Sequence, residues 1–138
     1  MEYRQHLTEQ EKNYDKLCGI TLTNLFTLSK NNETISFINL DIKNKEHLYV
    51  LAVGIALADV VNKSVSIFAP KRTIRKLNKQ FGRKTKETKI ISPPKKDIKY
   101  AISPQKIVDD LRDEGKRLCG EDFTFVDIFN EFYERGKK

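Results

Sequence analysis

The chain has 138 residues, 38% of them hydrophobic and including eight Phe and five Tyr, which is enough for one cored domain and too short for two ordinary ones. Its two Cys and two His lie far apart, with no CxxC or HxxxH spacing, which argues against a cysteine-stapled scaffold and a zinc centre, and the absence of long polar tracts argues against wholesale disorder. The net charge of +7 is unevenly placed: residues 71–96 hold eleven Lys or Arg against the single acid Glu87, whereas residues 109–134 carry a net −6.

Residues 1–7 have no apolar pattern and read as a mobile tail, leaving 8–138 as a single α/β-type domain. Thr8 and Glu11 have the spacing of a capping box, and Tyr14 and Leu17 share a face, so 8–17 is expected to be a short helix. Ile20, Leu22, Phe26 and Leu28 then alternate with polar residues, as do Ile35 and Phe37, then Ile38, Leu40 and Ile42. The turn formers SKNNET lie between these runs, and the pattern reads as two strands in an antiparallel hairpin. Residues 45–62 are apolar on nearly every side and rich in alanine, which predicts a buried core helix. KSVSIFAP, 63–70, reads as a strand ended by Pro70.

Within the basic stretch, Ile74, Leu77 and Phe81 are spaced as one helix face, with Pro70 suited to the first helical position and Gly82 to the end. GRKTKETK then reads as a flexible loop or the lead-in to a strand at TKIIS, and PPKKD as a turn or an extended spacer. Ser103 and Pro104 open another helix, with Ile107, Val108, Leu111 and Leu118 on its buried side, and CGED breaks it. A last capping-box pair, Thr124 and Asp127, precedes an aromatic stripe of Phe125, Ile128, Phe129, Phe132 and Tyr133. The expected fold is α+β or α/β: a sheet of about four strands, from the hairpin plus an α/β unit, with a buried central helix and C-terminal helices. An irregular barrel is the alternative should 48–56 be a strand.

Local chemistry is sparse. The six glycines form neither GxxxxGK[ST] nor GxGxxG, so no cofactor is expected. A Cys18 or Cys119 nucleophile with His47 would require tertiary contact, and both thiols are expected to be reduced and partly buried. Asp109, Asp110, Asp113 and Glu114 read as a solvated helix face. The stretch GIALADVVNKSVSIF, with the strand before it, resembles the strand–helix–strand core of nucleoside deoxyribosyltransferase-like and TIR-like domains, whose helix has the form E-x-G-x-A-x-A. That resemblance implies a nucleotide-processing ancestry. The residue two before Gly54, where the family's catalytic Glu would fall, is Ala52, and Glu46 lies nearly two turns earlier.

The basic stretch is the strongest functional signal. Arg72, Arg75, Lys76, Lys79, Arg83 and Lys84 are the candidate phosphate contacts of a binding protein, with nucleic acid or a nucleic-acid-handling protein as partner. Aromatic residues are few around it, so a single-strand stacking platform is not evident. An interaction or inhibitor module is the competing expectation, in which acidic 109–134 meets the basic helix of the same copy as an intramolecular clamp, or of another copy in a head-to-tail homo-oligomer. The longest apolar run is interrupted by Asp59 and too short for a bilayer, and the polar N-terminus lacks a signal-peptide core. No membrane partner and a cytoplasmic location are therefore expected.

Overall fold

The structure is a computed structural model describing residues 9–29, 34–61, 64–81, 90–91, 99 and 101–123. Its elements, in chain order, are α1 (Glu9–Ser29), β1 (Thr34–Ile38), α2 (Lys45–Val61), β2 (Ser64–Phe68), α3 (Lys71–Phe81), β3 (Ile90–Ile91) and α4 (Pro104–Cys119). The three strands form one parallel sheet in the order β1-β2-β3, with Thr34 opposite Ser64 and Val65 opposite Ile90. On the other side of β1, Ile102 makes a one-residue parallel bridge to Phe37. The Ile38 N–H donates to the Ile102 carbonyl at 3.1 Å, and the Ile102 N–H to the Ser36 carbonyl at 2.7 Å. The mixed α/β architecture matches expectation, and among the described residues the sheet has three strands plus this bridge, slightly fewer than the four or so expected.

The expected N-terminal hairpin is absent. Residues 20–29 continue α1, and β1 pairs in parallel with β2. The alternation of Ile20, Leu22, Phe26 and Leu28 conceals a helical stripe in which Tyr14, Leu17, Thr21, Leu25 and Ser29 are buried. Thr21 keeps that stripe going although it is polar. Its hydroxyl donates to the Leu17 carbonyl at 2.8 Å and lies 3.1 Å from the Tyr49 hydroxyl, so its burial leaves no unmet hydrogen bond. The expected turn at 30–33 lies outside the described residues, as do the 1–7 tail, Gly82, the PPKKD turn and the aromatic stripe after Phe123.

The core helix forms as expected, over Lys45–Val61, and every residue from His47 to Ile55 is buried. That also excludes the barrel alternative. Asn44 caps it, its side-chain oxygen accepting from the Glu46 N–H at 2.9 Å and the His47 N–H at 3.3 Å. The helix lies against the Ile35/Phe37 face of β1. A Cβ at Gly54 would fall 2.9 Å from Phe37 Cζ and 3.9 Å from an Ile35 methyl, closer than packed atoms allow. Glycine here permits close approach of helix to strand, at a cost of about 1 kcal/mol in helix propensity.

The central residues of β1 and β2 are buried on both faces, as parallel strands require. Alternation puts Ser36 and Ser66 on the face away from Gly54, where their hydroxyls lie 2.8 Å apart, and the Thr34 and Ser64 hydroxyls lie 3.0 Å apart. The last helix buries Ile107, Val108 and Leu111 as expected, and Gly115 lets the Phe123 ring pack directly on the helix. Ser103 does occupy the N-cap position, but its side chain makes no capping bond; its carbonyl accepts from Lys106 N–H at 3.1 Å instead. α4 also packs on α1, where the Asn13 side-chain amide donates to the Leu118 carbonyl at 2.6 Å. No described helix is long and apolar enough to cross a membrane.

Gly54→Val should lower stability by about 2 kcal/mol or more, because overpacking at Phe37 exceeds the gain in helix propensity. A urea denaturation midpoint equal to or above that of the unsubstituted chain would refute this seat for α2.

Candidate functional site

Helix α3 has the sequence KRTIRKLNKQF: five cations and no acid. Ile74, Leu77 and Phe81 are buried, as their spacing predicts. With a turn of about 100° per residue, those three fall within an arc of about 60°. Arg72, Arg75, Lys76 and Lys79 fall within an arc of about 100° centred on the opposite side, and all four are exposed. Four of the six candidate phosphate contacts thus share one open helix face. Arg83 and Lys84 lie outside the described residues. Pro70 stands one residue before the helix rather than at its first position, its carbonyl accepting from the Ile74 N–H at 3.1 Å.

The helix is placed at the rim of the sheet, packed on edge strand β3. Asn78 locks it there. Its side-chain oxygen accepts from the Ile90 N–H at 2.8 Å while its amide donates to the Ile90 carbonyl at 2.9 Å. One side chain therefore satisfies both main-chain groups that the edge strand would leave open. The local signals visible in the sequence did not mark Asn78, because its partner is twelve residues away across a loop.

The electrostatics of α3 work against the helix itself. Arg72 with Arg75 and Lys76, and Lys79 with Arg75 and Lys76, are like-charge neighbours at i+3 or i+4, each pair costing about 0.2–0.5 kcal/mol. Lys71 and Arg72 also occupy the first turn, where the helix dipole favours acids and none is present. Among the described residues, no ion pair involves an α3 cation; the pairs found join Arg112 to Glu46 and Asp109, and Arg117 to Glu114.

A second constellation lies where β1 ends and Ile102 meets it. His47 is buried, and its Nδ1 accepts the Asp41 N–H at 3.0 Å. That leaves the ring proton on Nε2, which donates to Gln105 Oε1 at 2.8 Å, and the Gln105 amide donates to Asp109 at 2.8 Å. Asn39, just past β1, has a left-handed backbone (φ 60°), which asparagine tolerates better than most residues. This relay joins segments 58 residues apart, beyond the reach of local sequence patterns.

Both ring nitrogens of His47 are thus engaged, so the conceivable Cys–His pair does not form. Neither Cys18 nor Cys119 is in a disulfide among the described residues, and both are partly buried. Burial pushes the Cys119 thiol up, opposite to the shift that activates a nucleophile. Burial likewise holds the Tyr49 phenol well above its usual range, so it stays neutral. Ala52, at the position the deoxyribosyltransferase-like resemblance reserves for a carboxylate, is enclosed in the hydrophobic core. Asp110 and Asp113 are exposed, as expected for a solvated face. Among the described residues no three His, Cys, Asp or Glu come together to hold a metal ion. The chain matches no protein-family model, no curated protein and no solved structure.

Two outcomes follow. Asn78→Ala should destabilise the fold by about 1–3 kcal/mol by orphaning the Ile90 main-chain groups; a melt superimposable on that of the unsubstituted chain would show that the clamp contributes nothing. Alkylation without reductant should modify both cysteines, with Cys119 reacting more slowly at pH 8 than a free thiol because less of it is thiolate. Rapid labelling of Cys119 would contradict its burial.

Proposed function

We propose that the chain is a nucleic-acid-binding protein whose contact surface is the outward face of α3, with Arg83 and Lys84, next in the sequence, as further phosphate contacts. One observation carries this reading: α3 concentrates cations that have no ion-pair partner among the described residues on the face opposite its buried stripe, against their mutual repulsion and, in the first turn, against the helix dipole. Stability alone would favour acids in the first turn and alternating signs along the face. A departure from local preference with no compensating ion pair among the described residues is typical of a site shaped for a ligand. A phosphate backbone supplies the missing anions and gains the entropy of released counterions. The same face would serve for a protein partner that presents nucleic-acid-like charge, and the chain acts in either case by binding rather than by catalysis.

A second reading rests on the relay at the end of β1. The chain runs outward from β1 to β2 and β3 and then returns to the other side of β1 at Ile102, and ligands of open α/β sheets favour the carboxyl ends of strands at such a reversal. Under this reading the chain processes a nucleoside or nucleotide, as the deoxyribosyltransferase-like resemblance implies, and nucleoside turnover by the unsubstituted chain would favour it over binding through α3.

For the first reading, each phosphate contact adds about 0.7 to 0.9 to the magnitude of the log–log salt slope, so five or six contacts give a slope of roughly −4 to −5. Affinity should depend little on base sequence, since backbone contacts carry no sequence information. Arg75→Glu with Lys79→Glu should abolish binding and leave the thermal melt nearly unchanged, because both side chains lie off the Ile74/Leu77/Phe81 stripe. Absence of binding at low salt by the unsubstituted chain would defeat the reading.

A further inference from the structure

Resting on that reading, we infer that the ligand of α3 is B-form duplex DNA, with the helix lying in its major groove. Three features of the helix select among nucleic acids. The first is its exposed chemistry. The exposed residues of α3 are Lys71, Arg72, Arg75, Lys76, Lys79 and Gln80, and the one aromatic of the helix, Phe81, is buried in the core. Single strands are held by stacking their bases on exposed aromatic side chains, and α3 presents none. Its cations can engage a backbone whose bases remain stacked and paired.

The second feature is shape. α3 is a regular helix of eleven residues, about 16 Å long, and it sits at the sheet rim with its cationic side open. A helix with side chains is about 10–12 Å across, which matches the B-form major groove at about 12 Å. The A-form major groove of duplex RNA is too deep and narrow to receive it. Duplex RNA would have to be met across its shallow groove, where one short helix touches little.

The third feature is the angular spread of the cations. Arg75 and Lys76 mark the two edges of the arc, about 100° apart, with Arg72 and Lys79 between them. A helix seated in the groove directs Arg75 to the phosphates of one strand and Lys76 to those of the other. The middle pair then runs along the groove axis. The three apolar anchors lie on the opposite side and Asn78, about 60° from Arg75, is already bonded to Ile90, so seating the helix requires no rearrangement of the core.

The test uses the full chain and fluorescein-labelled 20-mers of one sequence, as duplex DNA, duplex RNA and each single strand, in fluorescence anisotropy at low salt. Duplex DNA should bind at least tenfold more tightly than the other three. Replacing its cytosines by glucosylated 5-hydroxymethylcytosine, which fills the major groove, should weaken binding at least tenfold, whereas the minor-groove ligand netropsin should not compete. The neutral variants Arg75→Gln and Lys76→Gln, each checked by its thermal melt, should weaken duplex binding separately. Equal affinity for all four ligands would leave the nucleic-acid reading standing and overturn the duplex-DNA inference. A duplex preference insensitive to glucosylation, or abolished by netropsin, would overturn the major-groove placement. Binding of none of the four would defeat both.

Discussion

The fold depends on how closely α2 approaches β1. Phe37 occupies the space that a side chain at Gly54 would take, and that contact sets the helix against a strand buried on both faces. With α2 seated there, Val50, Leu51, Val53 and Ile55 are all enclosed, each burial contributing roughly 1.5–3 kcal/mol. Because α2 joins β1 to β2, its packing brings those strands side by side in parallel, with the hydroxyl pairs Ser36–Ser66 and Thr34–Ser64 aligned by the register. β3, Ile102 and the outer helices are then placed relative to that pair. The small residues of α2, which underlie the resemblance to nucleotide-processing domains, thus have a packing role of their own.

α3 is bound to this frame by little and weakened by its own charge. Three apolar side chains and one amide clamp oppose a series of like-charge neighbours and an unfavourable first turn. The division of labour is angular: Ile74, Leu77 and Phe81 lie on one side and Arg72, Arg75, Lys76 and Lys79 on the other, with Asn78 at the border between them. The charged face and the apolar anchors can therefore be altered separately at the level of single residues. By contrast, the cations of α4 have acidic neighbours: Arg112 pairs with Glu46 and Asp109, and Arg117 with Glu114. Basic content alone does not distinguish the two helices; among the described residues, ion pairs with acids do.

What could be read from the sequence was local and periodic. The span of α2, the strand at 64–68, the buried face of α3 and that of α4 all follow from apolar spacing within one element. Two kinds of error had physical causes. In α1 a polar residue, Thr21, lies in the buried stripe and meets its hydrogen bonds internally, so the helical period was broken and the neighbouring alternation looked like a strand. In the sheet, parallel pairing joins segments thirty residues apart through a helix, and no local signal separates it from a hairpin between consecutive apolar runs. The candidate site divided the same way. The cofacial set on α3 was legible because it lies within three turns, whereas the Asn78 clamp and the His47–Gln105 relay depend on partners supplied by the fold.

The central claim is that a ligand meets the outward face of α3 and not the relay at the end of β1. Amide chemical-shift mapping of the isotopically labelled chain, titrated with duplex DNA at low salt, tests it most directly. Shifts should saturate with added duplex and concentrate at Arg72, Arg75, Lys76 and Lys79, with the amides of α2 nearly still. Shifts centred instead on Asn39, Asp41, His47 and Gln105, or none anywhere, would contradict it.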